Sequence, residues 1–207
     1  LSAKAVLDLA HAEGVTMSVY LGSLLIQSLD AQVPAKKKGA VTVSVPVNLR
    51  QFFPSRSARN FFTTIRVGYD FKEHPASFKD IAQSLELQFR HELTAEKMQA
   101  KVDRLMWVET FPLTRLVPTL IKDPVLKIAH RISDQRISSS FSNLGRISFP
   151  EAFHDYIHSF SVTTSARRLQ LTCCTWGDLL PGMWALLQTA MGRSPGILPL
   201  GLSFAGA

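Results

Sequence analysis

The odd-numbered residues from 41 to 47 are all valine, and a threonine, a serine and a proline stand between them. Because successive side chains of a strand point to opposite faces, this alternation predicts a strand with one buried side. A second alternation follows a predicted loop at 51–58 and places on one face Phe61, Ile65, Val67, Tyr69 and Phe71. Two neighbouring strands of this kind require an apolar layer against them, so the chain must fold around a half-buried sheet.

Apolar residues recur at three- and four-residue intervals in other stretches, which predicts the helices of that layer. Ser2 and Thr16 are predicted to cap two short helices, which run to about His11 and about Leu29. Ser77 opens a third helix, predicted to continue past Met98. Further elements are predicted as short helices at 111–132 and as strands at 137–144, 157–165 and 169–176.

This order of elements predicts the α/β class, in its α+β form: an open mixed β-sheet with helices packed on one face. Residues 1–178 are predicted to form a single lobe. Glycines and prolines interrupt every periodic segment of 179–207, which is predicted to be a divergent or poorly ordered tail. Loss of the reading frame just after Asp178 is the other explanation of that tail.

The net charge of +7 favours anionic partners, but the positive residues are scattered and form no clustered stripe. We therefore expect no nucleic-acid partner. No run of about 18 uncharged apolar residues occurs, so no integral membrane segment is expected and a cytoplasmic location is predicted. The adjacent Cys173 and Cys174 offer no disulfide framework, and we expect them to fill core space rather than to react.

Polar residues stand at the ends of the predicted strands in segments that together are informative. Val-Pro-Val-Asn-Leu-Arg spans 45–50, Arg-Asn-Phe-Phe spans 59–62, and Ser-Asn-Leu-Gly-Arg spans 142–146. In that order they resemble the C-terminal half of the large His-dependent acyltransferase superfamily. This group includes chloramphenicol acetyltransferase, peptide-synthetase condensation domains, wax ester synthases and the bacterial alcohol acetyltransferases, and the likeness is strongest to the last of these.

The resemblance implies one lobe of a two-lobed, chloramphenicol-acetyltransferase-like fold with a tunnel between the lobes. It implies an acyl thioester, acyl-coenzyme A, as co-substrate, and a small alcohol or amine as acceptor. The superfamily's catalytic segment, His-His-x-x-x-Asp-Gly, lies in its N-terminal half and is absent here. We therefore expect the partner to be a missing N-terminal lobe and the chain alone to be inactive. The alternative is a non-catalytic binding or scaffolding module, and coding sequence upstream of Leu1 would distinguish the two.

Ser142 and Asn143 are the candidate catalytic residues. Asn143 continues the face of Phe141, so its amide would be buried and would need partners, whereas Ser142 lies on the opposite face. The resemblance implies that this strand borders the acyl tunnel and helps to position the thioester carbonyl. Equally, the segment is a strand end followed by a turn, with Gly145 at positive φ. The sequence leaves both interpretations open.

Asn48, Arg50 and Asn60 are interpreted mainly as structural. Arg50 either clamps a phosphate or ties down the following loop through backbone carbonyls. His130 begins a His-x-x-x-Asp segment, but the preceding His and the following Gly of the catalytic pattern are absent. We favour a histidine at a helix C-terminus over a catalytic base there. No histidine spacing predicts a metal site.

Overall fold

The structure, a computed structural model, describes residues 2–31, 39–111, 124, 127–128, 137–153, 156–158, 162, 170–180 and 182–185. Its helices are α1 (Ala3–Ala12), α2 (Met17–Ala31), α3 (Phe78–Glu92) and α4 (Ala95–Thr110). Its strands are β1 (Ala40–Asn48), β2 (Phe62–Asp70), β3 (Ser139–Arg146), β4 (Gln170–Thr175) and β5 (Gly182–Ala185). Short 3₁₀ turns lie at Leu49–Gln51 and Glu151–Phe153.

The strands form a mixed sheet, in the order β2-β1-β3-β4-β5 for the part of the chain described. β1 is antiparallel to β2 and parallel to β3, while β4 is parallel to β3 and antiparallel to β5. The open mixed sheet predicted from the order of elements is therefore confirmed.

The helices cover one face of this sheet. The alternating valines of β1 are buried, and in the cross-strand register Val43 lies beside Val67 and Val45 beside Ile65. These side chains belong to one apolar core, which also contains Phe141 and Cys173 of the sheet and buried residues of the helices: Val6, Leu25, Ile81, Leu85 and Met98. Because every described helix contributes to that single core, the prediction of helices on one face is confirmed. We call the opposite side of the sheet the outer face.

The third predicted helix is divided in two, so its predicted continuation past Met98 is wrong. α3 ends at Glu92, and Thr94 has an extended backbone at φ −106° and ψ 146°. The hydroxyl of Thr94 accepts a hydrogen bond from the backbone N–H of Lys97 at 3.4 Å. Thr94 is thus the N-cap of a new helix, since a capping side chain satisfies a donor that has no partner within the helix.

The predicted caps of the first two helices are confirmed. The Ser2 hydroxyl accepts from the N–H of Ala5 at 3.2 Å, and the Thr16 hydroxyl accepts from the N–H of Val19 at 3.3 Å. α1 and α2 pass the length and composition test for a membrane span only as a pair, bent by 84°; no single described helix passes it.

Strand β5 was not predicted. It begins four residues beyond Asp178 and pairs with β4, Gln170 lying opposite Ala185. Leu180, just before it, is only 3% exposed and belongs to the core. The division of the chain at residue 178 stays a prediction. His130, residues 186–207 and most of the predicted elements at 111–132 and 157–165 lie outside the described residues.

Candidate functional site

Strands β1 and β3 are paired over only part of their length. The parallel register joins Val43 to Ser139 and Ser44 to Ser140 and ends there. The carbonyl of Thr42 accepts from the N–H of Ser138 at 2.8 Å, so even-numbered residues of β1 direct their backbone towards β3. Pro46 is the next even residue after Ser44, and it has no N–H to donate.

The pairing therefore stops where β1 loses a donor, and the carboxyl-terminal halves of the two parallel strands are not paired with each other. We call this region the β1–β3 seam and define it by four residues: Pro46, Asn48, Ser142 and Asn143. Carboxyl ends of parallel strands are a common location for binding crevices in α/β sheets. The seam contains both residues that the sequence singles out as catalytic candidates.

Ser142 lies on the outer face. Its register partner in β4 is Thr172, and the next polar row along the strands consists of Arg66, Ser44, Ser140 and Gln170. Ser142 is half-buried, whereas Thr172 is only 2% exposed. The outer face is thus covered at β4, around Thr172. It is open to solvent at β2, where Arg66 is exposed. Ser142 lies between these two extremes.

Asn143 points the other way, towards α2. Its Nδ2 donates to the hydroxyl of Ser18 in the first turn of α2 at 3.0 Å, and its Oδ1 accepts from the N–H of Gly145 at 2.9 Å. Gly145 has φ +72°, the conformation expected for a turn at this strand end. The amide of Asn143 has the partners that were expected, but the residue is half-buried rather than buried. Ser142 and Asn143 are consequently not brought to the same face of the sheet.

The other predicted polar residues organise the loop between β1 and β2. Asn48 Oδ1 accepts from the backbone N–H of Arg50 at 3.0 Å and so caps the 3₁₀ turn. The guanidinium of Arg50 donates to the carbonyls of Ser57 at 2.6 Å and Arg59 at 2.7 Å. It therefore has the loop-tying arrangement rather than an open phosphate clamp. Asn60 is exposed two residues before β2.

The two cysteines follow the alternation of β4. Cys173 belongs to the main core, whereas Cys174 is buried outside it. Burial raises the pKa of the Cys173 thiol to about 12, with a smaller contribution from the neighbouring Cys174. Burial also raises the pKa of Cys174. Both thiols are therefore protonated at neutral pH, which agrees with a packing role rather than a nucleophilic one.

The sequence did not predict a role for Ser18, the hydrogen-bond partner of Asn143. It lies 125 residues before Asn143, and a serine in the first turn of a helix carries no signal for so distant a partner. No group of three or more His, Cys, Asp or Glu side chains that could hold a metal ion occurs among the described residues.

No protein-family model and no curated protein matches the chain. Among solved structures, the chain is similar to one described as the crystal structure of vinorine synthase, with 15% sequence identity and a TM-score of 0.49. The similarity covers 89% of this chain and 41% of that chain, so this chain spans less than half the length of the matched structure.

Proposed function

We propose that this chain is the C-terminal lobe of a cytoplasmic, coenzyme-A-dependent acyltransferase that moves an acyl group from a thioester to a small alcohol or amine. The three motif segments, in the order in which they occur, support the assignment to the His-dependent superfamily. The general base of the reaction is supplied by a His-His-x-x-x-Asp-Gly segment in a separate N-terminal lobe.

The observation that carries the proposal is the β1–β3 seam. Two parallel strands end there without pairing to each other, and Ser142 is half-buried on the outer face beside them. Strand backbone that pairs with no other described strand offers hydrogen-bonding groups to an extended acyl-thioester arm. Hydroxyl side chains along the same face add donors and acceptors. An extended thioester with a polar carbonyl at one point is the class of ligand that such a surface fits.

In the proposed reaction, the histidine of the other lobe removes the proton from the acceptor hydroxyl or amine as it attacks the thioester carbonyl. The carbonyl oxygen then carries negative charge, and a hydrogen-bond donor from this lobe stabilises it. The tetrahedral intermediate collapses by expelling the thiolate of coenzyme A, which takes up a proton.

Ser142 and Asn143 are the candidates for that donor, and their surroundings favour different roles. The amide of Asn143 is already hydrogen-bonded to Ser18 of α2 and to the N–H of Gly145, so it is suited to positioning the end of β3 against α2. Ser142 faces away from the core, where a hydroxyl can turn towards a ligand. We propose Ser142 as the donor and Asn143 as the residue that positions it.

A non-catalytic module with the same fold is the second candidate. The specific observation in its favour is that Asn48, Arg50 and Asn143 all form hydrogen bonds within the chain. Such a module would need no catalytic partner lobe.

Thiol release from acetyl-coenzyme A, measured with a panel of alcohols, distinguishes the two candidates. The chain alone should be inactive, since a missing general base removes about 10²- to 10⁴-fold of rate and the interlobe tunnel is also incomplete. Addition of an N-terminal lobe carrying the histidine segment should produce turnover. Absence of turnover from a folded, associated pair of lobes would favour the binding module.

A further inference from the structure

Strand β2 is an edge strand of the described sheet, and its outward backbone groups are held by a side chain. The N–H of Gly68 donates to Oε1 of Gln88 at 2.9 Å, and the Gly68 carbonyl accepts from Nε2 of the same side chain at 2.8 Å. In an antiparallel pair, a hydrogen-bonded residue exchanges the same two bonds with one residue of the next strand. The amide of Gln88 therefore occupies the groups that another strand would use.

Residue 68 must be glycine, and a glycine leaves its own backbone groups unshielded at the sheet edge. A Cβ at residue 68 would lie 2.7 Å from the carbonyl oxygen of Val41, so the close approach of β1 requires glycine. A glycine has no side chain to shield its own peptide groups at a sheet edge. Gln88 lies on α3, and its Nε2 also donates to the hydroxyl of Ser84 at 3.1 Å, which fixes the amide in place.

The rest of the same edge has weaker protection. Thr64 lies four residues before Gly68, and its carbonyl points outward in the same way. This carbonyl accepts a hydrogen bond from Nζ of Lys101 at 3.4 Å. The exposed Arg66 between them places a positive charge on the edge. Charged side chains on edge strands oppose strand addition, whereas a β-branched and aromatic composition favours it. The Gln88 amide, in contrast, forms hydrogen bonds with both the N–H and the carbonyl of one edge residue, Gly68.

We propose that Gln88 guards the β2 edge against antiparallel addition of a second copy of the same strand. Strand 62–70 is rich in β-branched residues, carries an aromatic residue near each end, and has the outward backbone groups that a second copy would pair with. The exchange at Gly68 breaks the two Gln88 bonds and forms two backbone bonds. With the amide in place, addition requires displacement of a side chain that Ser84 holds; without it, the N–H and the carbonyl of Gly68 can pair with another strand.

The test uses a fluorescein-labelled peptide with the sequence of residues 62–70 and a scrambled peptide of the same composition. Fluorescence anisotropy should show the β2 peptide binding to Gln88→Ala about tenfold or more tightly than to the parent chain, while the scrambled peptide binds neither. Gln99→Ala is the matched control, because Gln99 is exposed on α4 and its amide donates to Asp103 of the same helix at 2.7 Å. It should behave like the parent.

Amide exchange at Gly68 provides a second readout. In Gln88→Ala it should accelerate in dilute protein and slow again when the β2 peptide is added. Equal peptide affinity for the parent and Gln88→Ala, or no binding to either, would overturn the proposal. If Gln88→Ala does not fold, Gln88→Asn replaces it, since its shorter amide cannot span both groups of Gly68, and the same two outcomes apply.

Discussion

The carboxylate of Asp178 accepts a hydrogen bond from the hydroxyl of Ser2 at 2.9 Å, across 176 residues of sequence. It also accepts from the backbone N–H of Lys4 at 3.1 Å, and its own carbonyl accepts from the N–H of Ala3 at 2.7 Å. Asp178, which lies three residues beyond the end of β4, thus accepts hydrogen bonds from donors of the first turn of α1. Its carboxylate also places a negative charge at the positive end of that helix. The first helix is fastened to the sheet at this point.

Asp178→Ala should lower the free energy of unfolding by about 1 kcal/mol, the usual value of an N-terminal cap. Chemical denaturation with urea measures this loss. Asp103→Ala is the control, because Asp103 also accepts a side-chain hydrogen bond, but from Gln99 of its own helix rather than from a distant segment. Its effect should stay within about 0.5 kcal/mol. Equal effects of the two substitutions would mean that the contact with α1 adds nothing to stability.

The two thiols should be inert in the folded chain. Because burial raises the pKa of Cys173 to about 12 and also raises that of Cys174, neither supplies thiolate at pH 8. Reaction with a coloured disulfide reagent should be slow under native conditions, and both thiols should react promptly in guanidinium chloride. Fast release of one equivalent from native protein would contradict the buried placement of the pair.

Glu92 should make stability depend on pH in the acidic range. Its hydrogen bond from Lys97 at 2.9 Å, together with Lys101 at 3.1 Å, holds the carboxyl pKa below the ordinary value of 4.5, although burial opposes this. A lowered folded pKa means that the stabilisation is present above about pH 4.5 and is lost as the pH falls through the folded value.

The Glu92→Gln variant checks this linkage. It should be less stable than the parent at pH 7, and the difference should shrink as the pH falls below 4.5. Melting temperatures at a series of pH values measure the effect. A difference that is constant across the series would show that the charge of Glu92 does not contribute.

The sheet and its core were predictable because local patterns report them directly. The valine alternation of β1 fixes which face is buried, and Phe141 and Asn143 share that face by the same two-residue period. The turn at Gly145 likewise follows from the residue itself, since positive φ suits glycine. These inferences need only neighbours in sequence.

The features that the sequence did not predict depend on contacts between segments far apart in the chain, or on one helix-capping side chain. Nothing near Asn143 identifies Ser18 as its partner, and nothing near Gln88 indicates the Gly68 peptide on β2. The break between α3 and α4 was missed because the apolar spacing continues through Thr94, while the cap is a single hydroxyl contact. Strand β5 was missed because glycine and proline obscure the alternation there.

Asn143 and Ser18 should be energetically coupled. Asn143→Ala leaves the Ser18 hydroxyl and the Gly145 N–H without this partner. Because these groups are half-buried, the expected loss of stability is about 0.5–1.5 kcal/mol. In a double-mutant cycle with Ser18→Ala, the coupling energy should be about 0.5 kcal/mol or more, since the two side chains share one hydrogen bond. Additive effects from urea denaturation would show that the contact contributes nothing of its own to stability.

Ser142 should affect the chemical step once a complete enzyme is assembled from this chain and a lobe with the histidine segment. If its hydroxyl donates to the developing oxyanion, Ser142→Ala should lower the turnover number by about 10²-fold with little change in melting temperature. Asn143→Ala should instead lower the melting temperature. Thr110→Ala is the control, because Thr110 is the last residue of α4 and its hydroxyl donates to the carbonyl of Met106 in the same helix at 2.7 Å.

The comparison of these variants decides between the roles. If Ser142→Ala keeps its turnover within about threefold of the parent, as Thr110→Ala should, the loss is far smaller than an oxyanion donor contributes, and Ser142 is not part of the catalytic site. A large loss of turnover in Asn143→Ala, with the melting temperature unchanged, would assign the donor to Asn143. In that case the Asn143 amide would have to exchange its bond to Ser18 for one to the substrate during the reaction, because that bond occupies Nδ2 in the structure.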